Sequence, residues 1–167
     1  MAIVVEDGAG LSTAETYTTV AEATAYHAAR NNTAWAALAT DALREAALRK
    51  ATEYLDAVYR SRWQGLKYTE TQALDWPRQG VVVDSWSVGY DTIPEAIKRA
   101  CAELALKASS ADLAPDLTQG VTREKVGPIE VEYDKSSPQA TRYRAIDQML
   151  APFLTSGGGC SVKLVRT

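Results

Sequence analysis

Thr92-Ile93-Pro94-Glu95-Ala96-Ile97-Lys98-Arg99-Ala100-Cys101-Ala102-Glu103-Leu104-Ala105-Leu106-Lys107 is the stretch that sets the fold class. Thr92 and Glu95 have capping-box spacing, in which each side chain satisfies a backbone N–H at a helix start. Pro94 falls in the expected first turn, where its missing N–H costs nothing. Apolar residues then recur at helical spacing: Ile93, Ala96, Ile97, Ala100, Cys101, Leu104 and Ala108. Glu95 with Arg99 and Glu103 with Lys107 pair four apart on the other face, acid first, the favourable order. The spacing predicts a core helix from Thr92 to Lys107 that packs on other helices.

Three more helices read outward from it. Thr19 and Glu22 repeat the capping box and open a helix to about Arg30, ended by Asn31-Asn32. His27, the only histidine, lies on it as a surface or partly packed side chain. Thr33 caps a short turn carrying Trp35 and Leu38. Thr40 or Asp41 starts the longest helix, to about Arg60, with an apolar stripe of Leu43, Ala47, Ala51, Tyr54, Leu55 and Val58. Its twenty or so residues make a rod of ~30 Å. A last helix spans about Ala140 to Leu150 and stops at Pro152.

Between the helices the chain is extended. Ile3 to Val5 is a short β-branched run, and Gly80 to Tyr90 a loop or loose hairpin. Thr69 and Gln72 cap a single turn that ends at Trp76-Pro77. Val121 to Asp134 is the clearest β pattern, with Ile129, Val131 and Tyr133 alternating against Glu130 and Glu132. The expected architecture is mainly α: a small bundle of about four helices with a β-hairpin and extended N- and C-terminal arms. Residues 1–155 form the helical domain with its hairpin inserted at about 121–134, and residues 156–167 a glycine-tethered arm.

Composition bounds the function classes. The 167 residues suffice for one domain with a real core, and the 46% hydrophobic fraction is ordinary. Lys+Arg 18 against Asp+Glu 21 gives a net charge of −3, without the basic excess usual in duplex-DNA binders. Cys101 and Cys160 lie far apart and match no metal-site spacing, so no metal or other cofactor is expected. Cys101 reads as a small core residue. Cys160 reads as a free thiol, fitting a reducing cytoplasm. The first residues are not a signal peptide, and no stretch approaches the ~20 apolar residues that span a bilayer. With one histidine, no Gly-x-Ser-x-Gly and no phosphate-binding loop, no catalytic residue is assigned and no enzyme is expected.

Four stretches are candidate binding sites. Arg60, Arg62, Trp63, Lys67 and Tyr68 form a basic and aromatic cluster, which suits stacking and phosphate contact with single-stranded nucleic acid. A helix C-terminus complemented by cations, followed by a loop pinned into the core by Trp63, is the preferred reading, since the cluster is short and the chain acidic. Trp86 and Tyr90 offer a loop interface if exposed. Val126, Ile129, Val131 and Tyr133 form a hairpin face that needs a helix face, another strand or another subunit to cover it, and is a candidate inter-subunit or tail contact. Ser161, Val162, Lys163, Leu164, Val165 and Arg166, after Gly157-Gly158-Gly159, have the layout of an arm that adds a strand to a partner's sheet edge.

Several stretches together carry a resemblance over nearly the full chain. They are Leu74-Asp75-Trp76-Pro77-Arg78, Ile93-Pro94-Glu95-Ala96-Ile97-Lys98, Glu103-Leu104-Ala105, Glu124 to Tyr133, the ending Gly157 to Arg166, and the opening Val5-Glu6-Asp7-Gly8 with Tyr17. The chain resembles head–tail adaptor (connector) proteins of tailed bacteriophages and prophages, some of which carry the label DnaT-like single-stranded DNA-binding protein. The resemblance implies a structural virion protein, made in the host bacterial cytoplasm and placed at the head–tail interface. Its expected partners are copies of itself in a typically twelvefold ring, the portal protein, and a tail, stopper or tail-terminator protein. Genomic DNA would pass through the lumen without sequence-specific contact, and no membrane is involved. The alternative it implies is single-stranded DNA binding at the Arg60–Tyr68 cluster.

Overall fold

The computed structural model describes residues 3–115, 121–125, 130–133 and 141–155. Five α-helices lie among them, with short antiparallel hairpins between. α1 (Val20–Ala28) begins with the expected reciprocal cap: the Glu22 N–H donates to Thr19 Oγ1 at 3.0 Å, and the Thr19 N–H to Glu22 Oε2 at 2.8 Å. It ends before Asn31, which takes a left-handed φ of 55°. α2 (Thr33–Ala36) is one turn that seats Trp35 in the core. α3 (Asp41–Tyr59) is capped by Thr40, whose Oγ1 accepts from the Leu43 N–H at 3.3 Å. α4 (Glu95–Ala108) packs along α3, and α5 (Arg144–Leu150) continues into a 3-10 turn at Ala151–Phe153.

The α3–α4 seam is the centre of the core. Leu48, Ala51 and Leu55 meet Ile97, Ala100, Cys101 and Leu104, all fully buried. Small residues on both helices let the axes approach, and each buried leucine or isoleucine contributes about 1.5–3 kcal/mol. Two members of the expected α3 stripe fall outside this seam, since Leu43 and Val58 are exposed.

The helix at Thr92 exists, but its start differs from the sequence reading. Pro94 is the N-cap, with φ −56° and ψ 138°, and no side chain caps the first turn. A proline keeps the residue before it extended. Ile93 is therefore extended, and Thr92 stands too far from the first turn to cap it. The pair Thr69 and Gln72 fails in the opposite sense. Their reciprocal bonds form at 2.8 and 3.1 Å, yet the following residues are bends rather than a helical turn. The last helix starts at Arg144, later than the sequence pattern indicates.

His27 is not a surface side chain. It is buried, with Nε2 3.1 Å from the Ala102 carbonyl and Nδ1 3.0 Å from Asn32 Nδ2. Nε2 therefore donates and Nδ1 accepts, which defines a neutral imidazole, and burial pushes its pKa down.

β1 (Leu66–Lys67) pairs antiparallel with β2 (Arg78–Gln79), and β3 (Val82–Val83) with β4 (Trp86–Ser87). β5 (Val121–Lys125) pairs with β6 (Glu130–Tyr133), with an irregularity between Val121 and Arg123. Val131 and Tyr133 thus stand on β6. Val126, Ile129 and the arm residues Ser161 to Arg166 lie outside the described residues, as does Cys160. At the N-terminal end Val5 bridges to Thr16. The buried Glu6 carboxylate accepts from the N–H groups of Gly8, Gly10 and Leu11 at 2.8–3.0 Å, closing the turn-rich segment on itself.

Candidate functional site

The basic and aromatic cluster after α3 is split by the fold. Arg60 and Arg62 sit on an exposed 3-10 turn, and Tyr68 is partly exposed. Trp63 is only 4% exposed, edge-on to Trp76 at 5.7 Å between ring centres and bridged through its backbone to Leu154. It has no free face for a base, which corrects its assignment as a stacking group. Its apolar surface is worth more inside, against Tyr59 and Trp76, than in solvent.

Asp75 organises what lies beneath the cluster. It is 1% exposed, and its Oδ1 lies 3.4 Å from Lys67 Nζ and 3.9 Å from Arg60 Nε. Its backbone N–H donates to Asp56 Oδ2 at 3.2 Å and to the Tyr17 hydroxyl at 3.1 Å. The Tyr17 O–H in turn donates to Asp56 Oδ1, and its oxygen accepts from the Trp76 N–H at 3.3 Å. Burial, and then the negative charge of Asp75, raise Asp56 to about 6 against the hydrogen bonds from Tyr17 and Asp75. Burial, then the charge of Asp56, push Tyr17 well above its ordinary value.

Arg78 closes the loop over this hub. Its guanidinium donates to the carbonyls of Gln64 and Gly65 at 2.7 Å each and of Asp75 at 3.1 Å. Burial lowers its pKa, yet a guanidinium stays charged in proteins. Arg78 is therefore a clamp on the 64–79 loop and is not available to a ligand.

Several large apolar side chains of the 66–90 segment are exposed: Leu66 70%, Trp86 80% and Tyr90 55%, with Val82 and Tyr68 less so. Tyr68 and Tyr90 lie 5.1 Å apart, ring centre to ring centre, inclined by 34°. The turn between β3 and β4 has positive φ at both central residues, 50° at Asp84 and 70° at Ser85, the type I′ geometry that suits strand twist. A serine there is strained relative to glycine. The base of the hairpin is fixed by contact: a Cβ on Gly8 would fall 1.8 Å from the Asp91 carbonyl oxygen, so Asp91 lies directly on the N-terminal loop.

A second concavity opens near the start of α5. It has a volume of about 780 Å³ and is lined by Tyr54, Val58, Tyr59, Arg62, Arg142 and Tyr143 among others. Tyr59 donates to Asp147 Oδ1 at 2.8 Å, and burial with that carboxylate pushes its pKa up. Arg62 lies 5.5 Å above the Tyr59 ring.

Among the described residues no three His, Cys, Asp or Glu side chains gather where a metal ion could be held. No helix among them is long and apolar enough to cross a membrane. Cys101 is a buried free thiol whose sulfur lies 3.3 Å from Thr52 Oγ1, and burial raises its pKa.

These features define a small, mainly helical domain with short hairpins, an exposed tyrosine pair and a buried carboxylate hub. The chain belongs to the family described as "Putative DnaT-like ssDNA binding protein", which matches residues 1–167. This corresponds to the second label within the resemblance drawn from sequence, not to the head–tail adaptor description. Neither the curated proteins nor the solved structures yielded a match.

Proposed function

We propose that the chain binds single-stranded DNA, with Tyr68 and Tyr90 as a stacking pair and Arg60, Arg62 and Lys67 as the cations beside it. The Tyr68–Tyr90 pair is the observation that carries this reading, and membership of the DnaT-like family supports it. Two neighbouring exposed rings give a sequence-tolerant platform, at about 1–3 kcal/mol per stacked base. Arg60 is 68% exposed, so its Asp75 contact is loose and its charge remains open to a phosphate. Asp84, Asp91 and the net charge of −3 keep the number of phosphate contacts small. Affinity should then be modest and fall with salt, log K dropping by about 0.7 per log unit of salt for each phosphate engaged. Anisotropy of a labelled oligothymidylate, at low and at physiological salt, tests this. The Tyr68→Ala/Tyr90→Ala pair should remove most of the binding, and no binding by the unmodified chain at low salt would end the proposal.

A second reading, a head–tail adaptor subunit that assembles into a ring at the portal and joins capsid to tail, is favoured by Leu66, Val82 and Trp86. Stacking of bases does not require these three, and large exposed apolar side chains suit protein association. In this reading the segment 157–167 and the β5–β6 hairpin are the contacts to portal, tail or neighbouring copies. Particles assembled with a chain lacking residues 157–167 should lack the ring at the capsid vertex; normal infectious particles would exclude that role for the arm.

A further inference from the structure

We propose that the Trp86 hairpin of one copy docks in the tyrosine-lined cleft at the start of α5 of a second copy. This deepens the assembly reading above and shares only Arg62 with the proposed DNA site.

The two surfaces are complementary in shape, in polarity and in charge. The hairpin is a knob: Trp86 stands 80% exposed at the end of a two-residue turn. From Gly80 to Thr92 the sequence holds two acids, Asp84 and Asp91, and no lysine or arginine. The strain at Ser85 keeps the turn tight and the indole presented. The cleft is large enough for an indole and its neighbours at about 780 Å³, and its walls are aromatic and aliphatic: Tyr54, Val58, Tyr59 and Tyr143. Arg62 and Arg142 line it with one carboxylate, Asp147, which accepts from the Tyr59 hydroxyl, and Arg144 borders the adjoining hollow with Arg142 and Asp147, so arginines outnumber acids there. None of these three arginines forms an ion pair among the described residues. An acidic apolar knob thus meets an arginine-rimmed aromatic socket, the pairing that both buries the tryptophan and supports its rim charges.

Within one copy the two halves are not joined: Trp86 stands 80% exposed while the cleft is open, and β3 packs instead on the 3-10 turn at Ala151–Phe153. The knob is anchored at its base by the Val82 N–H bond to Gln64 Oε1 and by the Gly8–Asp91 contact. Different patches on the two copies meet, so the contact is head-to-tail, and repetition generates a closed ring or an open filament.

Sedimentation velocity on the full chain over a concentration series, read with tryptophan emission, tests this. Trp35, Trp63 and Trp76 are all buried in the subunit, so a concentration-dependent blue shift reports Trp86. Association and the shift should appear together, and Trp86→Ala should weaken association by about tenfold or more, as for a central aromatic contact. Arg142→Glu should do the same from the other surface while leaving emission at low concentration unchanged. Arg62 is avoided because it also serves the DNA site. Asp84→Arg combined with Arg142→Asp should recover part of the affinity that each loses alone. A chain that stays monomeric with solvent-like Trp86 emission overturns the proposal together with the assembly reading. Association that persists unchanged in Trp86→Ala overturns this interface alone.

Discussion

Moving from pH 7 to pH 5 should stabilise the fold by about 1 kcal/mol through Asp56 alone. Its carboxyl is raised from 3.8 to about 6 in the folded chain, chiefly by burial and then by Asp75. A group raised on folding binds its proton more tightly in the native state, so native stability rises as pH falls through the folded value. At about 1.4 kcal/mol per pH unit, the full interval between 6 and 3.8 is worth at most about 3 kcal/mol. Between pH 7 and 5 only the upper part of that interval is crossed, giving the smaller figure. His27 works against it in the same window: burial lowers its pKa, so protonating the unfolded chain near 6.5 costs native stability. Glu15 and Glu22 are lowered below the ordinary carboxylate range, and the stability they supply is lost mainly below pH 5. The assay must therefore be differential, with urea unfolding of the unmodified chain and of Asp56→Asn at pH 7, 6 and 5. The amide introduced by Asp56→Asn would turn a donor toward either the Tyr17 hydroxyl or the Asp75 N–H, so the variant is weaker at every pH, but it has nothing to titrate at that position. The gap between the two should widen by about 1 kcal/mol from pH 7 to pH 5. A gap that stays constant or narrows would refute the reading of this hub.

Other consequences follow from single residues. Ser85→Gly should raise stability by about 1 kcal/mol, because glycine removes the left-handed strain at φ 70°, measured as a shift in the urea midpoint without a change in slope. Gly8→Ala should destabilise by more than about 2 kcal/mol, since its Cβ would collide with the Asp91 carbonyl at a φ of 108°, and thermal unfolding would show it. Asp75→Asn removes the carboxylate that Lys67 and Arg60 share, so at some cost in stability it should strengthen oligothymidylate binding several-fold and steepen its salt dependence. Unchanged affinity in a folded Asp75→Asn protein would remove those two cations from the DNA site.

Helices were legible wherever a local signal and a tertiary face agreed. The Thr19–Glu22 box and the Thr40 cap are short-range, and both hold. The reading failed where two local rules competed. At Thr92-Ile93-Pro94-Glu95 the proline's restriction on Ile93 outweighed the capping spacing, and at Thr69–Gln72 the reciprocal bonds closed a loop without a helix behind it. Composition gave no means of knowing that His27 is buried. Asn32 is a local partner just past the helix end, but Ala102, 75 positions away, becomes a neighbour only once α1 lies on α4.

The candidate site shows the same division more sharply. Exposure of Trp86 could be raised from sequence because a strand-like hairpin has only two faces. Burial of Trp63 agrees with the preferred sequence reading, a loop pinned into the core, over the nucleic-acid patch. What decides it is the hub beneath: Asp56 lies 39 positions from Tyr17 and 19 from Asp75, and no periodicity links the three. Once they are in place, the consequence is directional. Asp75 draws Lys67 and Arg60 toward the domain, Arg78 fixes the 64–79 loop by its carbonyls, and Trp63 and Trp76 fill the space below. With the loop's backbone carbonyls held from inside by Arg78, Leu66 and the Tyr68–Tyr90 pair are left facing outward, and so is Trp86 on the adjoining hairpin. A loop held this tightly at its buried side loses little conformational freedom when a ligand arrives, which is the condition under which a small exposed aromatic face binds at all.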